Sequence, residues 1–167
     1  MRLPPTFVVH ARTATLIAAV AAIGFLPPAA AAQANGTGHR GQSFAQALVE
    51  KAKVDHPDVD EAGILANTRN GCFGIASTDK TDVGGKCEAD DIQPMKTGKP
   101  SVGKDGTGYD VSVLLHDARG NTVGVLSLGF KGGPGVTEAS VLAPSTKIAA
   151  GMAPQIASKA RLLDGRM

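Results

Sequence analysis

Cys72 and Cys87 are the only thiols in the chain. No CxxC, CxxCH or histidine-rich spacing accompanies them, so neither a redox couple nor a thiolate metal site is indicated. Paired with each other, they would close a loop of about 16 residues, worth on the order of 3 kcal/mol by the chain-entropy account. The other candidates for chemistry are polar. Arg69 sits at a turn, and Lys96 and Lys99 flank another. An Arg fork or a Lys ammonium in such a place can hold a carboxylate, or can be an ordinary solvated charge. Tyr109, Asp110 and His116 share one strand-like run. Asp110 and His116 fall on one face of it and Tyr109 on the other. The pair then either points into a pocket or marks the exposed ends of the strand. Asp79, Asp82, Glu88, Asp90 and Asp91 form an acidic stretch. It lacks the spacing of a calcium loop and has Lys80 and Lys86 interleaved, so a solvated acidic loop is expected, not a metal site. No G-x-S-x-G elbow, H-E-x-x-H helix or P-loop is present. No catalytic residue, metal or cofactor is therefore expected, and the chain reads as non-enzymatic.

The compartment follows from residues 1–34. Arg2 and Arg12 open the chain and no acidic residue precedes Glu50. The apolar run Ala14–Leu26 ends at Pro27-Pro28, and Ala29–Ala32 suits an A-x-A cleavage site. At about 13 residues the run is short of the roughly 20 that span a bilayer. A cleaved secretory signal peptide is expected, with the mature protein exported to the periplasm or the extracellular space, and there a disulfide is the default state of a cysteine pair. Both basic residues before position 35 leave with the signal, so the remainder carries 15 basic and 15 acidic residues. Nothing then suggests nucleic acid or a membrane surface as a partner.

About 133 residues remain, enough for one domain. Residues 35–42 are Gly-rich and polar and read as a flexible lead-in. Ser43 can cap a helix over about 44–54, with Gln46 completing a capping box. Residues 62–68 and 72–76 form the arms of a hairpin around Asn70-Gly71. Residues 77–99 are polar and should lie over one face of the sheet, with a short helix over 89–95. Strands follow at 101–104, 109–116 and 122–130, the last nearly all apolar and therefore central. The C-terminal part returns to helical spacing, with Pro144 expected to kink or restart the helix. Residues 159–167 look like a loose tail. The fold class is α+β, a five-stranded antiparallel sheet with flanking N- and C-terminal helices.

That order resembles the PAS-like fold and, within it, the extracytoplasmic Cache sensor domains. The stretch 77–84 (STDKTDVG), the approach 94–100 (PMKTGKP) and the paired strands 110–126 carry the resemblance, which spans about half of the mature chain. It implies a Cache-like domain over 43–158, with a small-molecule pocket between the sheet and the segment that crosses it. Cache sensors are usually followed by a membrane helix and a signalling module, whereas this sequence stops at Met167. The expectation is therefore a free-standing exported binding protein for a small ligand of carboxylate type. It would present that ligand to a signalling partner, with a homodimer as a further option. The alternatives are a structural or interaction module that kept the fold and has no pocket, and, less expected, a small hydrolase or redox enzyme.

Overall fold

The computed structural model describes residues 42–164. The expected signal peptide, nearly all of the lead-in and the last three residues lie outside the described residues.

Ser43 opens the first helix, α1 (Phe44–Asp55), by accepting the Gln46 N–H on its hydroxyl at 3.2 Å. Gln46 does not close the expected capping box. Its side chain is buried and reaches across to the sheet, donating to the Ser77 carbonyl at 2.8 Å and accepting the Ser77 N–H at 3.3 Å. Ala45, Leu48, Val49 and Ala52 form the buried stripe of α1.

Strands β1 (Val59–Thr68) and β2 (Gly71–Ser77) form the expected hairpin, with Gly71 at φ +119° ending the turn. β1 starts three residues earlier than its apolar run suggests. Val59 pairs with Phe130, and a bulge before Glu61 restores the alternation. After the crossing segment comes α2 (Gln93–Thr97), later than expected. Pro94 sits in its first turn, where a missing N–H is harmless and the fixed φ suits the helix, so this proline starts a helix instead of ending one. Strands β3 (Ser101–Asp105), β4 (Gly108–His116) and β5 (Thr122–Phe130) complete one antiparallel sheet in the order β2-β1-β5-β4-β3. β5 is central, as its apolar character predicts.

Helix α3 (Glu138–Met152) starts at a capping box made by Thr137 and Ser140 and continues through Pro144. The helix does not restart there. Around the proline, the Ser145 and Thr146 hydroxyls donate to the Val141 and Leu142 carbonyls, at 2.7 and 3.0 Å. The buried stripe Val141, Ser145, Ile148, Ala149 and Met152 holds the helix to the core. The second proline, Pro154, falls in a short 3-10 turn, Ala153–Gln155. Residues 159–163, expected as loose tail, form α4 (Lys159–Leu163), capped by Ser158. Leu162 anchors it in the core at 1% exposure, and Arg161 stacks on Phe44 at 4.8 Å.

The sheet thus has two unlike faces. Ile64, Val111, Val113, Leu115, Leu126 and Leu128 join α1, α3 and α4 in one apolar core. The opposite face lies under the crossing segment 78–92 and α2. Among the described residues, no helix is long and apolar enough to cross a membrane.

Candidate functional site

The face away from the core is built from small and polar residues in register. One row across the sheet runs Glu61, Gly129, Asp110, Gly103. The next runs Ser77, Gly63, Ser127, Ser112, Ser101. A third, Leu65, Val125, Leu114, is apolar. It lies at the end where α2 covers the sheet and where Met95 meets Asn67. Over the first two rows little side-chain bulk rises from the sheet. Gly129 is the clearest case: a Cβ there would lie 3.3 Å from the Glu61 Cβ and 3.4 Å from Asp110 Oδ1. Glycine lets the two carboxylates flank an open floor.

The crossing segment roofs this floor and leaves a cavity of about 440 Å³. Thr81, Asp82, Gly85, Lys86, Glu88 and Asp91 line it from above, and Glu61, Gly63, Asp110, Ser127 and Gly129 from below. The roof is stitched to β2. Gly74 donates to the Gly85 carbonyl at 2.9 Å, Gly84 donates to the Gly74 carbonyl at 2.8 Å, and Cys87 donates to the Cys72 carbonyl at 3.2 Å. A Cβ at Gly74 would lie 2.6 Å from the Asp82 carbonyl oxygen, so this approach requires glycine. The Cys72–Cys87 disulfide forms as expected, with Cα atoms 5.4 Å apart, and fastens the same seam. A second hollow of about 370 Å³ adjoins the cavity, sharing Glu61, Asp105, Asp110 and Gly129, with Tyr109 and Lys131 on its far side.

The electrostatics are one-sided. Glu61, Asp82, Glu88, Asp91, Asp105 and Asp110 line the cavity, and Lys86 is the one basic residue among its lining. The carboxyl groups disturb one another. Glu61 is raised to about 7, first by its hydrogen bond with the Asp82 carboxyl, then by burial and by the Asp82 charge. The Ser77 hydroxyl, at 3.2 Å, works weakly in the other direction. Asp110 is raised by desolvation and by its neighbours Asp105 and Asp91. Asp91 is held in place by the Glu88 N–H at 3.0 Å, with the Ser112 hydroxyl at 3.5 Å.

Of the residues singled out in the sequence, Asp110 lines both hollows and Tyr109 the outer one. His116 is on Asp110's face but at the opposite end of β4, opposite Thr122, and lines neither. Arg69 is exposed at the hairpin turn, and Lys96 and Lys99 are exposed on and after α2. None of these three lines either hollow, because turn and helix-end side chains project into solvent, away from the sheet. The basic groups expected to hold a carboxylate thus lie apart from these hollows, whose lining is mostly acidic. Glu61, Asp82, Asp91 and Asp105 were not singled out as ligand contacts. The usable signal was alternation. Glu61-x-Gly63, Asp110-x-Ser112 and Ser127-x-Gly129 all put charged, hydroxylic or minimal side chains on the face opposite the apolar ones. Among the described residues, no three His, Cys, Asp or Glu side chains are disposed to hold a metal ion.

No family model matches the chain, and no curated protein matches it. Among solved structures it is similar to the type II free methionine-R-sulfoxide reductase from Thermoplasma acidophilum, at TM-score 0.46 and 14% identity, over 71% of this chain and 89% of that one. It is also similar to the E. coli DcuS sensor domain, at TM-score 0.39 and 17% identity, over 52% of this chain and 65% of that domain. At these identities neither carries a function over to this chain.

Proposed function

We propose that this domain is a non-enzymatic binding module that takes up a small organic cation, an amine or quaternary ammonium compound, in the cavity between the sheet and the crossing segment. One observation carries the reading: six carboxyl-bearing residues face a single lysine around a cavity of about 440 Å³, a volume within the usual range for small-molecule sites. Gathering so many carboxylates near each other is costly without a counter-charge. An ammonium group supplies one, and the Ser127 hydroxyl offers a further acceptor. The cysteine pairing and the expected signal peptide support a place outside the reducing cytoplasm. There the bound form would be presented to another protein.

The test is a thermal-shift and calorimetric screen of the purified domain against diamines, polyamines, quaternary ammonium compounds and, as controls, organic acids. A bound cation at about 100 times its Kd should add about 2.7 kcal/mol of stability. Asp110→Asn should weaken that cation about tenfold, since it removes one flanking charge and keeps the shape. Stabilisation by organic acids with none by cations would overturn the reading. No stabilisation by either class would leave the pocketless interaction module.

A further inference from the structure

Two glycines of β5 stand in the strand for different reasons. Gly124 is required by its neighbour: a Cβ there would lie 2.4 Å from the Leu65 carbonyl oxygen. Gly129 is not held to glycine in that way. Its φ lies outside the left-handed region, and the atoms nearest a Cβ built on it belong to the Glu61 and Asp110 side chains, at 3.3 and 3.4 Å. The bulge close by belongs to β1, not to β5. A glycine inside a strand weakens it, and where the backbone does not demand it, it marks a place that a ligand approaches closely.

What Gly129 leaves open is a passage. The cavity under the crossing segment and the outer hollow have Glu61, Asp105, Asp110 and Gly129 in common. In the sheet, Gly129 pairs with Glu61 on one side and Asp110 on the other. Its bare Cα is therefore the low point of the border between the two spaces, with a carboxylate on either flank. Beyond the border each space has acidic groups of its own, Asp82, Glu88 and Asp91 in the inner one and Asp60 in the outer. Lys131, the basic residue of the outer lining, is engaged by Asp60 at 3.1 Å.

We propose that the two hollows form one site for an elongated dication, a terminal diamine or a linear polyamine, whose methylene chain crosses Gly129 between Glu61 and Asp110 and places one ammonium in each hollow. This ligand class rests on the cavity taking a cation, and it adds the length and valence of that cation. A monoamine meets one group of carboxylates and leaves the other uncompensated. Two ammonium groups close together repel each other, and a chain between them removes that repulsion while letting both be met. The chain also accounts for the glycine, since any side chain at 129 would rise into its path. A compact quaternary ammonium ion has no use for such a passage.

Calorimetric titrations of the disulfide-intact domain with butylamine, hexylamine and octylamine, and with the matching terminal diamines, test the proposal. The expected result is a diamine that binds about tenfold tighter than the monoamine of equal length, the worth of one added charge pair in a partly enclosed site. In nuclear magnetic resonance titrations the diamine should shift the amides of Lys86 and Asp91, which line only the inner hollow, and those of Thr107 and Gly132, which line only the outer one. The monoamine should shift one set alone. Gly129→Ala fills the passage with a methyl group and removes no charge, and it should abolish the advantage of the diamine. Equal affinities in the wild-type domain, or outer amides unmoved by saturating diamine, would overturn the proposal and leave the cation reading standing. Binding of neither class overturns both. The wild-type titrations decide between these outcomes even if Gly129→Ala fails to fold.

Discussion

The two faces of the sheet are built from the same five strands and do opposite things. Toward α1, α3 and α4 the strands present Ile64, Val111, Leu115, Leu126 and Leu128, each at 0% exposure. Toward the crossing segment they present Glu61, Gly63, Asp110, Ser127 and Gly129, around open space. The period-2 geometry of a strand allows this, since neighbouring residues serve different faces. Stability is therefore concentrated on one side and chemistry on the other. The cavity face can carry mutually repelling carboxylates because the apolar face offsets the cost.

The sharpest way to break that contrast is a large-to-small change on the apolar face. Leu115→Ala should destabilise the domain by about 2–5 kcal/mol in denaturant unfolding, whereas Ser127→Ala on the cavity face should stay within about 1 kcal/mol. Equal losses would mean that the two faces share the load. Next comes the seam. Replacing both cysteines by serine should cost about 3 kcal/mol for a loop of this length and should weaken cation binding, because the disulfide holds Gly85 and Lys86 in the cavity wall. Unchanged affinity would show that the backbone bonds to Gly74 suffice. The smallest effect is a pH slope. Glu61 binds its proton more tightly in the folded state than in the unfolded chain, where a glutamate titrates near 4.5. Folding stability should therefore be highest below about pH 4.5 as far as this group is concerned, and should fall as the pH rises toward 7. Allowing for solvent screening at a half-buried site, the loss is about 1–2 kcal/mol. Glu61→Gln should flatten that part of the curve in melts at several pH values.

The apolar face was legible in the residues. The alternation in 109–116, the Asn70-Gly71 turn and the cysteine pairing each rest on local chemistry, and each has its expected counterpart in the structure. The cavity was legible in position only. Alternation separates two faces but does not say which one helices will cover, so Asp110 was a candidate while its partners across the sheet, Gly129 and Glu61, were not. Their meeting depends on register over some 70 residues of chain, which no local pattern encodes. Arg69, Lys96 and Lys99 lie apart from the cavity for a related reason: they sit near turns in sequence, and turns point outward. Pro94, Pro144 and residues 159–163 mark a second limit. Proline is costly within a helix but neutral at its start, and a helix with a well-packed stripe can absorb one lost bond. A short terminal segment becomes a helix once a residue such as Leu162 finds a place in the core.

The seam at Cys72 and Cys87 also bears on when the cavity comes into being. Its roof is the part of the cavity face whose attachment includes a bond that depends on an oxidant. A chain still in a reducing environment can assemble the sheet and its helices, which need no thiol chemistry, yet would hold residues 84–87 by a few exposed backbone bonds. Oxidation then sets the wall. The shape of the cavity wall is thereby coupled to the redox state of Cys72 and Cys87.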